Sequence, residues 1–305
     1  MVQKSKKIWL DGKLVDWDEA NVHVLTHTLH YGVALFEGIR CYELADGKSA
    51  IFRLREHIRR MFDGCRIFQM KVPFSEEEVS AACVETVKVN GLKSCYLRPV
   101  IFCGDGEMGV YANNPTRVTI ATWPWGEYLG KGAVDQGVRV KISSFARHHV
   151  NAGMSQGKVV GQYANAVLAK REAVGLGYEE AVMLDVNGYV AEGAGENIFA
   201  VKDGVIRTPP LSAGILNGIT RQSVIALGHD EKLDIREENL TRDFLYIADE
   251  VFFTGTAAEV TPIREIDDRS IGTGKPGPMT KRLQRLFFDV VRGKNDRYRE
   301  WLTPV

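Results

Sequence analysis

The chain has no Cys-x-x-Cys pair. Its five cysteines, Cys41, Cys65, Cys83, Cys95 and Cys103, are scattered through the first third, which argues against common zinc and dithiol motifs and for packed, reduced thiols of a cytoplasmic protein. Neither charge is in excess, with 39 Lys and Arg against 39 Asp and Glu. With no long basic run either, nucleic acid and anionic membrane are poor partners. No apolar stretch nears the ~20 residues of a membrane-spanning helix. The apolar segment in MVQKSKKIWLDGKLVDW is cut short by Asp11, unlike a signal peptide. Ser-His-Asp hydrolysis finds no Gly-x-Ser-x-Gly elbow. The run SIGTGKPGP lacks the spacing of a phosphate-binding P-loop and carries Pro276 where that motif needs Ser or Thr. Repeats and low-complexity tracts are also missing. What remains is a mixed chain of 305 residues, long enough for two packed domains.

The first ~125 residues alternate strands and helices. KKIWL-DG-KLVDW and IRCYELADGKSAIFRL read as hairpins. REHIRRMFDGCRIF spaces Ile58, Met61, Phe62 and Cys65 helically, and SEEEVSAACVETVKVNG opens with a capping box, Ser75 to Glu78, and closes on Gly91. Strands SCYLRPVIF and RVTIATWPW follow. The Gly-rich, aromatic passage WGEYLGKGAVDQG breaks the pattern and sets the expected division: a small N-terminal α+β domain over 1–124, an interdomain loop over 125–136, and a larger domain over 137–305. That domain is expected to hold VRVKISSF, a helix from about 161, paired strands around 185–204, a helix over GITRQSVIAL, strands at LDIREENL and EVFFTG, and the helix MTKRLQRLFFDVV.

The chemistry concentrates in a few places. DVNGYVAEGAGENIFAVKDG carries two hairpin signals, and between them AEGAGEN sets Glu192, Glu196 and Asn197 among small residues. Small residues in a strand let something approach the backbone closely. Lys158, in NAGMSQGKVVG, follows a loop without charged partners, a setting in which an amine becomes available for Schiff-base chemistry. Tyr163 lies five residues on. Gly218 precedes a helix whose Ile219 and Thr220 amides suit a phosphate, and Gly255-Thr256-Ala257-Ala258 ends a strand with a hydroxyl and unhindered amides. His23, His27 and His30 have helical spacing but no Cys or carboxylate joins them, so no metal is expected and polar packing is the reading. Together these features ask for a ligand with an aldehyde, a phosphate and a ring atom for a carboxylate, as pyridoxal 5′-phosphate has.

The segments HYGVALFEGIRCY, FRLREHIRRM, YLRPVIF, GKVVGQYANAVLAKREA, DVNGYVAEGAGENIFAVKDG, LNGITRQSV and ADEVFFTGTAAEVTPIREID resemble, nearly end to end, the class IV (fold-type IV) aminotransferases of the branched-chain amino acid group. The resemblance implies a two-domain α/β (α+β) enzyme whose site lies at the domain and subunit boundary. It implies transamination of L-leucine, L-isoleucine and L-valine with 2-oxoglutarate by a ping-pong mechanism. Lys158 corresponds to the lysine that bonds the cofactor and moves the proton, Glu192 to the partner of the ring nitrogen, and Tyr163 to the phenol at the 3′-oxygen. Arg60, Ile219, Thr220 and Thr256 correspond to the phosphate ligands, with Glu196 and Asn197 as braces.

The double pocket for an apolar chain and for glutamate maps to Tyr31, Phe36, Gly38, Tyr96, Arg98, Met108, Val110, Trp125 and Tyr128. Thr256 and Ala257 would receive the α-carboxylate. Tyr31 and the loop of Met108 and Val110 would come from a second subunit, implying a homodimer or a hexamer of dimers. D-amino acid aminotransferase and 4-amino-4-deoxychorismate lyase are the alternatives on the same fold; YLR and GTAAE favour the branched-chain group. His148 and His149, in FARHHVNAGMSQG, read as part of a solvated loop or an interface.

Overall fold

In a computed structural model the described residues are 2–126, 128–130 and 132–305, so Glu127 and Lys131 of the expected interdomain loop lie outside them. The chain divides into two compact units: Met1–Gly126 with Gly157–Gln162 and Val290–Val305, and Glu127–Gln156 with Tyr163–Asp289.

In the first unit, β1 (Lys7–Leu10) and β2 (Lys13–Asp16) form the first expected hairpin. Asp11 and Gly12 turn it with φ of 47° and 90°, as a two-residue type I′ turn requires. Next come α1 (His27–Tyr31), β3 (Ala34–Phe36), β4 (Ile39–Glu43), β5 (Ser49–Phe52), α2 (Leu54–Ile67), α3 (Glu76–Asn90), β6 (Cys95–Cys103) and β7 (Thr116–Trp123). The helix predicted over His23, His27 and His30 covers only the last two. The capping box of α3 forms in both directions, and Gly91 closes the helix in the left-handed region. One sheet joins these strands in the order β5-β4-β6-β7-β1-β2, with β3 also on β6. Leu35, Ile39, Ile51, Leu97, Ile101 and Ile120 from the sheet pack with Ile58 and Met61 of α2 and with Val79, Cys83 and Val87 of α3. Burying each such side chain contributes ~1.5–3 kcal/mol before entropy is counted.

In the second unit, α4 (Ala133–Gln136) leads into β8 (Val138–Ile142), α5 (Val150–Gly153), α6 (Tyr163–Gly175), β9 (Glu180–Leu184), β10 (Val190–Gly193), β11 (Asn197–Lys202) and β12 (Val205–Thr208). Then follow α7 (Ile219–Asp230), β13 (Ile235–Glu237), α8 (Arg242–Ile247), β14 (Glu250–Gly255), β15 (Glu259–Ile266), β16 (Arg269–Ser270) and α9 (Pro278–Val291). Its sheet runs β10-β9-β8-β15-β14-β11-β12-β13. The pairs β15/β8, β8/β9 and β12/β13 are parallel, as the helical crossovers between β8 and β9 and between β12 and β13 allow.

Two segments depart from the expected division over 137–305. The last strand, β17 (Leu302–Pro304), pairs with β5, and 157–162 joins the first unit. Strand pairing between residues about 250 positions apart leaves no local pattern in either segment. The rejected P-loop run leads into α9, whose N-terminus accepts the chain's own anion: Glu250 takes the Met279 and Thr280 amides at 2.9 and 2.7 Å.

Candidate active site

In the first unit, glycine contacts fasten the segment carrying Lys158. The Gly157 Cα lies 3.6 Å from where a Cβ on Gly64 of α2 would stand, and the Gly161 amide donates to the Gly32 carbonyl at 3.0 Å. Between them Val159 bridges to Leu35, and the Phe36 amide donates to the Lys158 carbonyl at 3.1 Å. Lys158 is thereby held as a short extra strand against β3. Its ammonium sits 4.9 Å from the centroid of the Phe36 ring, and the Arg98 guanidinium is 4.8 Å from the same centroid.

Arg98 and Tyr96 alternate along β6 and so share a face. The guanidinium also lies 5.3 Å from the Tyr96 ring and 5.9 Å from the Trp123 ring. Tyr96 stacks on Trp125 at 4.7 Å, and its phenol occupies the space a side chain at Gly38 would need. Among the described residues the buried Arg98 Nε has no hydrogen-bond partner, and Nη2 reaches the Tyr96 hydroxyl at 3.4 Å. Such a cation, walled by aromatic rings, suits an apolar chain with an anionic end.

Arg60 points inward from α2 while Arg59 is exposed, which separates the two adjacent arginines. Glu37 engages the Nε and Nη2 of Arg60 at 2.7 and 2.8 Å and accepts from His57 Nδ1 at 2.7 Å. Burial pushes the Glu37 carboxyl up, but Arg60 and His57 outweigh it and hold it well below the ordinary value. Burial lowers His57, against the pull of Glu37. We read the imidazole as neutral, donating through Nδ1–H. Tyr31, Met108 and Val110 are 39%, 45% and 89% exposed. His27 Nε2 hydrogen-bonds the Gly109 carbonyl and His30 Nε2 that of Val24. No group of metal-ligating residues occurs among the described residues.

In the second unit, three turns meet around AEGAGEN. Glu192, buried on β10, accepts from Asn197 Nδ2 at 3.0 Å and from the Leu216 amide at 3.1 Å through Oε2, and from Arg147 Nη2 at 2.9 Å through Oε1. Asn197 also donates to the Leu216 carbonyl at 2.9 Å, and its Oδ1 fills the place of a side chain at Gly218. Asn197 therefore ties the carboxylate to the start of α7, where Gly218 supplies no capping side chain and Ile219 and Thr220 are the first two residues. The third turn, Thr256-Ala257-Ala258, closes β14 onto β15, with Gly255 against Gly195 and Glu196.

Glu196 is enclosed, and burial, with Glu180 nearby, pushes its carboxyl well above the ordinary range. Its backbone carbonyl accepts from the Gly193 amide at 2.6 Å. The Tyr128 ring lies 6.0 Å from the Lys170 ammonium. Tyr163 opens α6 and is half-buried. His149 Nδ1 caps α5 by accepting from the Asn151 amide, and His148 packs against Gly153, so both serve the loop's own structure. Arg147, which sequence reasoning missed, is the charged partner of Glu192; 45 positions separate the two, and no local pattern links them.

Within the second unit, a buried carboxylate pinned by N–H donors and a helix start without a capping side chain suit the ring nitrogen and the phosphate of a phosphorylated pyridine. The amino-transferase class IV family model matches residues 34–266, and the chain belongs to that family. Within it, the chain is 51% identical to the branched-chain-amino-acid aminotransferase of Pseudomonas aeruginosa, over 100% of this chain and 99% of the other. It is 45% identical to that of Escherichia coli K12, over 99% and 98%. The crystal structure of the Escherichia coli enzyme superposes with a TM-score of 0.96 at 45% identity, covering 98% of this chain and 99% of that one. The Thermobaculum terrenum branched-chain amino acid aminotransferase in its PLP-form gives 0.92 at 34% identity, covering 99% and 98%. The mixed α/β two-sheet architecture agrees with these structures.

Proposed function

We propose that the chain is a pyridoxal-phosphate-dependent branched-chain aminotransferase, moving the amino group of L-leucine, L-isoleucine or L-valine to 2-oxoglutarate by a ping-pong mechanism. The observation that carries the substrate reading is Arg98: a half-buried guanidinium whose buried Nε has no partner among the described residues, set among the rings of Phe36, Tyr96 and Trp123. Aromatic walls take a branched apolar chain. The same guanidinium takes the second carboxylate of glutamate or 2-oxoglutarate, where a charge-assisted contact is worth ~1.5–3 kcal/mol.

Bound pyridoxal phosphate supplies an aldehyde that accepts the amino group of one substrate, and an electron-accepting ring. Lys158 would hold the cofactor through Nζ until the amino donor displaces it; the freed amine would then take the Cα proton and return it to the carbon that carried the aldehyde, and would move a proton the opposite way for the acceptor. Glu192 keeps the ring nitrogen protonated. Tyr163 hydrogen-bonds the 3′-oxygen. Arg60, the Ile219 and Thr220 amides and the Thr256 hydroxyl bind the phosphate, and Thr256 and Ala257 receive the α-carboxylate. Gly38 and Trp125 shape the wall around Tyr96, and Tyr128 belongs to the substrate-binding residues. Exposure of Tyr31, Met108 and Val110 supports their service to a second subunit, in a cytoplasmic homodimer or a trimer of such dimers; sedimentation of the holoenzyme tests the assembly.

The deciding experiment mixes holoenzyme with single amino acids, without keto acid, and follows cofactor absorbance. Rapid bleaching by L-leucine, L-valine and L-glutamate but not D-alanine is expected. Bleaching by D-alanine alone overturns the reading of Arg98 in favour of a D-amino acid aminotransferase. Silence with all of them, with pyruvate released from 4-amino-4-deoxychorismate, makes the chain a lyase.

A further inference from the structure

Glu192 is held from two sides by different chemistry. Neutral donors, Asn197 Nδ2 and the Leu216 amide, both go to Oε2, while the Arg147 guanidinium meets Oε1 at 2.9 Å. The side chains of the ion pair are only 12% and 7% exposed, so water screens the pair weakly. Arg147 is itself anchored. Its amide donates to the Leu184 carbonyl at 2.7 Å, and the preceding Ala146 carbonyl accepts from Asn165 Nδ2 at 3.1 Å. Burial pushes the neighbouring Glu196 carboxyl up, and burial with Arg147 alongside lowers His148 below the ordinary value, so the imidazole is uncharged at neutral pH. Arg147 sets a positive charge directly against Glu192.

We propose that Arg147 is a positioning residue that fixes the plane of the Glu192 carboxylate and keeps it ionised, so that the proton shared with the cofactor's ring nitrogen stays on the nitrogen. The inference rests on the assignment of Glu192 to that nitrogen. Neutral donors alone leave a carboxylate a good proton acceptor, whereas the guanidinium on Oε1 favours its charged form and, as a planar donor, directs that oxygen. Without it, the proton moves from nitrogen to carboxylate, leaving both partners neutral, and the ring draws electrons from the substrate less strongly.

The test uses holoenzyme reconstituted with pyridoxal phosphate labelled with ¹⁵N in the ring, comparing wild type, Arg147→Met and Arg147→Lys at one pH. Wild type should show a protonated ring-nitrogen shift. Arg147→Met should move it towards the unprotonated value and lower kcat at least tenfold, with KM within about threefold, and Arg147→Lys should restore much of both. A ring nitrogen in Arg147→Met with the wild-type shift overturns the proposal, whatever the activity. If Arg147→Met fails to fold, Arg147→Lys and Arg147→Gln decide: equal shifts in these two overturn the proposal, and a displaced shift in Gln alone supports it. Wild-type protein that binds no pyridoxal phosphate would instead bring down the cofactor assignment itself.

Discussion

Gly38 and Tyr96 share one space: a Cβ on the glycine would run into the Tyr96 hydroxyl. The phenol is also the ring that stacks on Trp125 and lies beside the Arg98 guanidinium. Gly38→Ala should therefore displace Tyr96, lowering kcat/KM for L-leucine tenfold or more while cofactor absorbance stays unchanged. Steady-state kinetics with the titrated holoenzyme reads this directly, and a wild-type kcat/KM would show that the wall tolerates the shift.

Arg98→Met should separate the two substrates. It keeps apolar bulk between the aromatic rings and removes the charge, so the half-reaction with L-glutamate should lose about 10–150-fold, the equivalent of ~1.5–3 kcal/mol. L-leucine should change by less than about threefold. Equal losses for both would remove Arg98 from distal-carboxylate recognition.

The glycine contacts around Lys158 are a stability prediction as well as a catalytic one. Gly32 has φ of 72°, and a Cβ there would come within 2.9 Å of the Gly161 Cα. Gly32→Ala should cost ~1–2 kcal/mol for the left-handed backbone alone, and more for the contact. A lowered urea midpoint together with slower cofactor uptake is expected. Lys158→Ala, by contrast, should keep the wild-type midpoint and lose at least ~10³-fold in turnover.

Acid stability follows from Glu37 and His57. Both are depressed in the folded chain, so each stabilises most above its unfolded value. His57 begins to lose its contribution as pH falls below 6.5, and Glu37 as it falls below 4.5. His57→Gln should flatten the decline below pH 6.5, by at most ~1.4 kcal/mol per pH unit, the value for one proton. Denaturant titrations of both proteins across that range check it. Parallel curves would mean that the imidazole is protonated in the fold.

Local chemistry was readable wherever neighbours in sequence are neighbours in space. Ser75 and Glu78 cap one helix three residues apart, Asp11-Gly12 turns one hairpin, and AEGAGEN announces a close approach within seven residues. Lys158 stood out by its context, and the resemblance of whole segments supplied its role. What stayed hidden depends on distance along the chain. Arg147 meets Glu192 only because the loop after β8 passes β10, and Glu37 meets His57 and Arg60 only when α2 packs on the first sheet. Each of these is an ordinary charged residue until the fold supplies its partner.

The final strand, pairing with β5, reverses the order in which the two units can finish during synthesis. Everything the second unit needs has left the ribosome once Asp289 emerges, although it is encoded later. The first unit must wait for the lysine-bearing segment and then for Leu302–Pro304, with the β5 edge open until that strand emerges. A nascent chain stalled before Leu302 should thus expose that edge to chaperones while its second sheet is already protease-resistant.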